Sequence, residues 1–196
     1  MRRIQILRAA DYPRMPWKNG AGSTLEIARD QGEGLDGFGW RLSIADIGES
    51  GGFSAFTGYQ RIIGVLEGDG MQLQVDGALS RPLSPFDPFA FCGDSRVTCQ
   101  LLGGVIRDFN LIYAPQRYAA RLQWLALERP QRLFSSAPVV LVFSAAQALE
   151  VRLDEGGAAR LGRYDCLRIE RDAELAELQL RSADAGHCCL IELTPR

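Results

Sequence analysis

Apolar residues recur at every second position along much of this chain, the spacing of strands that turn one face inward. Ser23-Thr24-Leu25-Glu26-Ile27-Ala28 alternates in this way, as does Trp40-Arg41-Leu42-Ser43-Ile44. Met71-Gln72-Leu73-Gln74-Val75 runs into Asp76-Gly77, a strand followed by a tight-turn pair. Further strands are predicted over 96–102, 106–113, 139–143, 149–153, 166–170 and 187–193. Asn19-Gly20, Gly51-Gly52, Gly68-Asp69-Gly70, Gly103-Gly104 and Gly156-Gly157 punctuate them. Many short strands with regular glycine turns predict an all-β protein, a sandwich or barrel of antiparallel strands. The segments 144–149 and 172–180 are rich in Ala, Glu, Leu and Gln, which favour helix. Alternation at Leu178-Gln179-Leu180 nonetheless makes the second a strand.

The 196 residues suffice for one large domain or two small barrels. A seam at 128–138, marked by Pro130, Ser135, Ser136 and Pro138, divides the single unit 1–196 into halves of 1–128 and 129–196. The net charge of -2, without basic blocks, gives no footprint for nucleic acid or an anionic membrane surface. Arg8 and Asp11 interrupt the N-terminal segment before a signal-peptide core forms, so a cytoplasmic location is expected. The five cysteines are odd in number and lack C-x-x-C spacing, which makes them small core residues of a reducing compartment.

Three clusters carry candidate chemistry. Trp17-Lys18-Asn19-Gly20-Ala21-Gly22 combines a flat apolar wall, a point charge and an amide around a turn. That mixture suits an anionic small molecule, and equally a surface hairpin with a half-buried tryptophan. Phe53-Ser54-Ala55-Phe56-Thr57-Gly58-Tyr59-Gln60-Arg61 leads into the apolar run Ile62-Ile63-Gly64-Val65-Leu66. An inward Arg61 needs an anionic partner: a ligand carboxylate, or a structural ion pair with Asp108 or Glu26. Asp108 and Asn110, two apart, share a strand face. They either fix a ligand in a pocket or form the solvent side of a sheet whose core is Phe109 and Leu111. His187 is the only histidine, whereas a zinc or iron site draws on two or three. No metal, cofactor or catalytic triad is expected, although Glu26 and Asp108 can serve as an acid/base pair.

Trp17-Lys18-Asn19-Gly20-x-Gly22-x-Thr24, Phe53-Ser54-x-Phe56-x-Gly58-x-x-Arg61 and Asp108-Phe109-Asn110 together resemble the HutD/Ves family. The resemblance runs through nearly the whole chain. It implies a cupin-like double β-barrel, a bicupin. Val65-Leu66-Glu67-Gly68-x-Gly70 looks like the first cupin motif without its histidine pair. Phe91-Cys92-Gly93-Asp94 with Asp108–Asn110 looks like the second, also without its histidine. The family's link to bacterial histidine utilisation implies a regulator of pathway flux. Its implied ligands are carboxylates such as urocanate or N-formylglutamate. The Ves branch is linked instead to stress and cold response.

The chain is therefore expected to be a metal-free binder of a small carboxylate, with Arg61 as the clamp. Lys18, Asn19 and Asn110 would add hydrogen bonds, Trp17 and Phe53 the walls, and Glu26 and Asp108 would hold the basic groups. The alternatives are a metal-independent isomerase or hydrolase acting through Glu26 or Asp108, and a protein-interaction module whose barrel is filled. A homodimer is compatible with each.

Overall fold

The computed structural model describes residues 3–16, 22–32 and 37–196. Among these the chain is β apart from one 3-10 turn at Ala9–Asp11, and every ladder between strands is antiparallel. It forms two compact units, 13–117 and 1–12 with 118–196.

Strand β1 (Arg3–Leu7) opens the chain. Unit 13–117 follows with β2 (Arg14–Pro16), β3 (Gly22–Arg29), β4 (Trp40–Ile47), β5 (Gly51–Gly52) and β6 (Gln60–Glu67). It continues with β7 (Met71–Val75), β8 (Ala78–Leu79), β9 (Phe89–Cys92), β10 (Val97–Leu101) and β11 (Ile106–Tyr113). These form a six-stranded sheet, β2-β3-β4-β11-β6-β9, and a four-stranded sheet, β5-β10-β7-β8. Ala45, Ile47, Ile63 and Val65 from the larger sheet pack with Met71, Leu73, Val97 and Cys99 from the smaller in one apolar cluster. The two sheets thus close face to face on a dry core.

The motif Glu67-Gly68-x-Gly70 makes the turn between them, and only glycine fits there. Gly70 has φ +105°, and a Cβ on it would lie 2.5 Å from the Leu83 carbonyl oxygen.

The other unit contains β1, β12 (Tyr118–Ala126), β13 (Gln131–Ser135), β14 (Val139–Ser144) and β15 (Ala148–Leu153). It is completed by β16 (Ala158–Gly162), β17 (Cys166–Glu170), β18 (Ala176–Ser182) and β19 (His187–Pro195). Its sheets run β1-β17-β14-β19-β12 and β13-β18-β15-β16, and they share a second core of Val140, Val142, Ile169, Val151, Leu178 and Leu180.

The division differs from the expected halves of 1–128 and 129–196. The first residues belong with the C-terminal strands because β1 pairs along its whole length with β17. The Asp165 carboxylate locks that arrangement. It accepts the Ala9 N–H at 2.9 Å, the Gly162 N–H at 2.9 Å and Arg8 Nη1 at 2.6 Å. The Pro- and Ser-rich stretch taken as a seam instead holds β13. The helix-favouring segments resolve as strands from Ala148 and Ala176 onward. In β18, buried Ala176, Leu178 and Leu180 alternate with Glu177 and Gln179, and that burial overrides helix propensity. Cys99, Cys166, Cys188 and Cys189 are buried, as small core residues should be, while Cys92 is exposed. No helix among the described residues is long and apolar enough to cross a membrane.

Candidate functional site

The residues singled out in β3, β6 and β11 meet on one face of the six-stranded sheet. Asn110 on β11 stands between Ser43 on β4 and Ile63 on β6, and Glu26 on β3 lies opposite Ser43. Two residues along, Ile112 stands between Arg41 and Arg61, and Arg61 is opposite Phe91 on β9. Asp108 pairs with Ala45 and Val65. Strand alternation puts all of these on the side that also carries the apolar core. Its far end is hydrocarbon; this end is polar.

Arg61 is the centre of the polar end. Only 5% of it is exposed, and its guanidinium is bounded by the rings of Phe53, Phe56 and Phe91 at 5.4, 5.4 and 5.0 Å from their centroids. Cation–π attraction of this kind offsets part of the desolvation cost. Nη1 donates to the Ser54 carbonyl at 3.1 Å, but the buried Nε–H has no partner. Burial draws the pKa down to about 10 against the opposing charge of Asp108, so the group stays cationic at neutral pH.

Asp108 is buried and its Oδ1 accepts the Ala45 N–H at 2.9 Å. Burial dominates its titration and lifts the carboxyl to about 7, although Arg61 and the Ala45 bond pull the other way. Glu26 also resists ionisation through burial. Hydrogen bonds from Arg29 and Arg41 overcome this and hold it below the usual carboxylate range. Arg41 Nε donates to Glu26 Oε2 at 2.7 Å and Arg29 Nε to Oε1 at 2.6 Å. Glu26 is thus committed to Arg29 and Arg41, and the ion pair once considered between it and Arg61 is not formed. Three guanidiniums, Arg29, Arg41 and Arg61, face two carboxyls, Glu26 and Asp108, and burial pushes Asp108 towards its neutral form, so the local balance is positive.

Of the residues expected at the site, Glu26, Phe53, Arg61, Asp108 and Asn110 come together on this side of the barrel. Trp17, Lys18 and Asn19 lie outside the described residues. Asp108 and Asn110 do not form a solvent side: Asp108 is as buried as Phe109 and Leu111 on the opposite face. Sequence reasoning missed Arg41, Phe56 and Phe91 as members of the cluster. Arg41 sits in a clean alternation that reads as an outward polar face, yet Arg41 and Ser43 are 4% and 3% exposed.

The loop from Phe53 to Tyr59 is pinned to β9 by a close backbone approach. The Phe56 N–H donates to the Gly93 carbonyl and the Gly93 N–H to the Tyr59 carbonyl, each at 2.8 Å. A Cβ at Gly93 would stand 2.3 Å from the Phe56 carbonyl oxygen. Gly93→Ala therefore displaces the loop that supplies Phe56 and the Ser54 carbonyl. We expect a loss of about 1–3 kcal/mol in urea denaturation, as in other overpacked sites. Gly58→Ala, with φ +80° but nothing within 4 Å, should cost about 1–2 kcal/mol from backbone strain alone and leave the loop in place. A Gly93→Ala variant with unchanged stability would show that the loop is not held there.

An open groove of about 890 Å³ is lined by Phe53 together with Gln74, Asp76, Asp94, Ser95 and Arg96. Its walls are mostly turn residues, whereas the buried polar groups converge at Arg61. Metal binding of the cupin kind does not fit: unit 13–117 contains no histidine, and no group of three metal-ligating side chains occurs among the described residues.

The chain is 64% identical over 196 residues, all of both sequences, to a Pseudomonas putida protein described as an uncharacterized 21.2 kDa protein in the hutC 3' region. It is 34% identical to Protein Ves of Citrobacter koseri over 173 residues, 84% of this chain and 89% of that one. The solved structure of HutD from Pseudomonas fluorescens SBW25 superposes with a TM-score of 0.86 at 58% identity, covering 99% and 100% of the two chains. A bacterial pirin from Escherichia coli, crystallised with nickel(II), shares the fold alone: TM-score 0.72, 12% identity, 99% and 100% coverage. The all-β, cupin-like double barrel read from the sequence is thereby the architecture of this protein. The model of the HutD family matches residues 9–190, and the chain belongs to that family.

Proposed function

We propose that this protein binds a small carboxylate at Arg61 without a metal, and through that binding regulates histidine utilisation in the cytoplasm. The observation that carries the proposal is a buried guanidinium whose Nε–H lacks a partner, in a setting of net positive charge. An unmet buried donor is costly, and a carboxylate oxygen is the acceptor that its planar fork matches. The Putida relative is described by its position beside hutC, and the Fluorescens HutD structure carries the label "Formate condition". The first of these descriptions agrees with an acid from histidine breakdown, for which urocanate and N-formylglutamate are the candidates. Formate is the smallest acid that the same fork would hold.

Thermal-shift measurements on EDTA-treated protein against histidine, urocanate, N-formylglutamate, glutamate and formate test this directly. A ligand at a hundred times its Kd stabilises the native state by about 2.7 kcal/mol. A shift with a pathway acid that survives EDTA is expected. A second reading, an interaction module, is favoured by the hydrocarbon packing of Ile47, Ile63, Val65, Met71 and Leu73 at the other end of the barrel. No shift with any acid would replace the first reading with it.

A further inference from the structure

Arg61 is not the only group on this face with an unmet bond. Asn110 Oδ1 is buried and accepts nothing. Its neighbours across the sheet are Ser43 and Ile63, and its neighbours along β11 on the same face are Asp108 and Ile112. None of them donates to it. Asn110 and Arg61 lie on adjacent strands in the diagonal relation, because Asn110 pairs with Ile63 and Arg61 with Ile112. Such positions have Cβ atoms about 7–8 Å apart or less, within reach of one small molecule.

The two orphaned atoms differ in sense. Arg61 offers a donor and a charge; Asn110 offers an acceptor. A plain carboxylate satisfies the first and sets its own lone pairs against the second. An acid that also bears an N–H a few bonds from the carboxylate satisfies both. We infer that the site selects acids carrying an N–H donor, N-acyl amino acids or azole acids, over plain carboxylates, and that Asn110 is the residue that selects. This rests on the carboxylate-binding role of Arg61 and adds the second half of the ligand. A buried acceptor left unmet is worth roughly 5- to 150-fold in binding. Formate would then bind through Arg61 but weakly.

Matched pairs of acids test the inference without altering the protein. Urocanate is compared with the corresponding oxazole acrylate, in which a ring oxygen replaces the N–H and the second ring nitrogen is kept. N-formylglutamate is compared with its ester isostere, in which oxygen replaces the amide N–H. Calorimetric titration of the full chain should favour each N–H compound by about tenfold or more. In Asn110→Leu, close in volume and without the acceptor, the ratio should fall towards one while binding through Arg61 persists. If that variant fails to fold, the ligand pairs alone still decide. Equal affinities within both pairs would overturn the role of Asn110 and leave the Arg61 site standing. Tighter binding of the oxygen analogues would place the amide nitrogen, not the oxygen, in the site and also overturn it. Failure of all four acids to bind would remove both the site and its selectivity.

Discussion

Arg61→Lys should abolish the stabilisation by pathway acids at concentrations that shift the unaltered protein by several degrees. The substitution keeps a positive charge, so charge alone is not what it removes. It removes the planar fork and with it the Nε–H, which has no partner in the free protein. An ammonium is also harder to bury. Lysine in this position would lose its proton more readily than arginine, whose pKa remains about 10 despite burial. The rings of Phe53, Phe56 and Phe91 favour a flat cation that can lie against them. Removing one partner of a buried charge pair outright costs about 2–5 kcal/mol, roughly 30- to several-thousand-fold in Kd, and this is the upper bound for Arg61→Lys, which keeps the charge and loses the fork. Calorimetric titration, with circular dichroism to confirm folding, gives the answer. A Kd unchanged by Arg61→Lys would exclude Arg61 from the binding site.

Asp108→Asn should change how stability depends on pH, by an amount on the order of 4 kcal/mol across the range. Burial raises the Asp108 carboxyl from 3.8 to about 7. Below about pH 4 it is protonated in both folded and unfolded chains, and its contribution is fully present. Between pH 4 and 7 the unfolded chain releases the proton while the folded chain keeps it, so the folded state loses ground. Above pH 7 the loss is complete. Glu26, Asp46 and Asp165, held below their ordinary values, act in the opposite sense: their stabilisation is present at neutral pH and disappears in acid. The difference between variant and parent isolates Asp108 from these. Asparagine still offers an oxygen to the Ala45 N–H, so the two proteins should be similar near pH 4. The variant should gain on the parent as pH rises to 8, measured by denaturant titration at each pH. A difference that stays flat would mean that attraction to Arg61 outweighs burial and Asp108 is ionised throughout.

Much of the fold was legible because it is local. The alternation at Met71–Val75 and Ile106–Tyr113 marks strands by a period of two, and the glycine pairs mark where they turn. The motif with Gly68 and Gly70 could be read because the backbone there tolerates no other side chain. The candidate site was half legible. Arg61, Asp108 and Asn110 were visible as polar residues among apolar neighbours, whereas Phe91 was an ordinary strand residue until β9 paired with β6.

The sequence by itself determined the all-β class, many of the strands, among them β7, β11 and β17, and the lack of any histidine within residues 13–117 to serve as a cupin metal ligand. Only the tertiary structure decided which side of each strand was buried, and in β4 and β11 it was both. It decided that Glu26 pairs with Arg29 and Arg41 while Arg61 keeps an unmet N–H among aromatic rings. It also decided that residues 1–12 pack with the C-terminal strands. The physical reason is common to all three. Period and turn chemistry act between neighbours in the chain, but burial and charge pairing depend on register between strands up to 167 residues apart, as Arg3 is from Glu170, which no local pattern encodes.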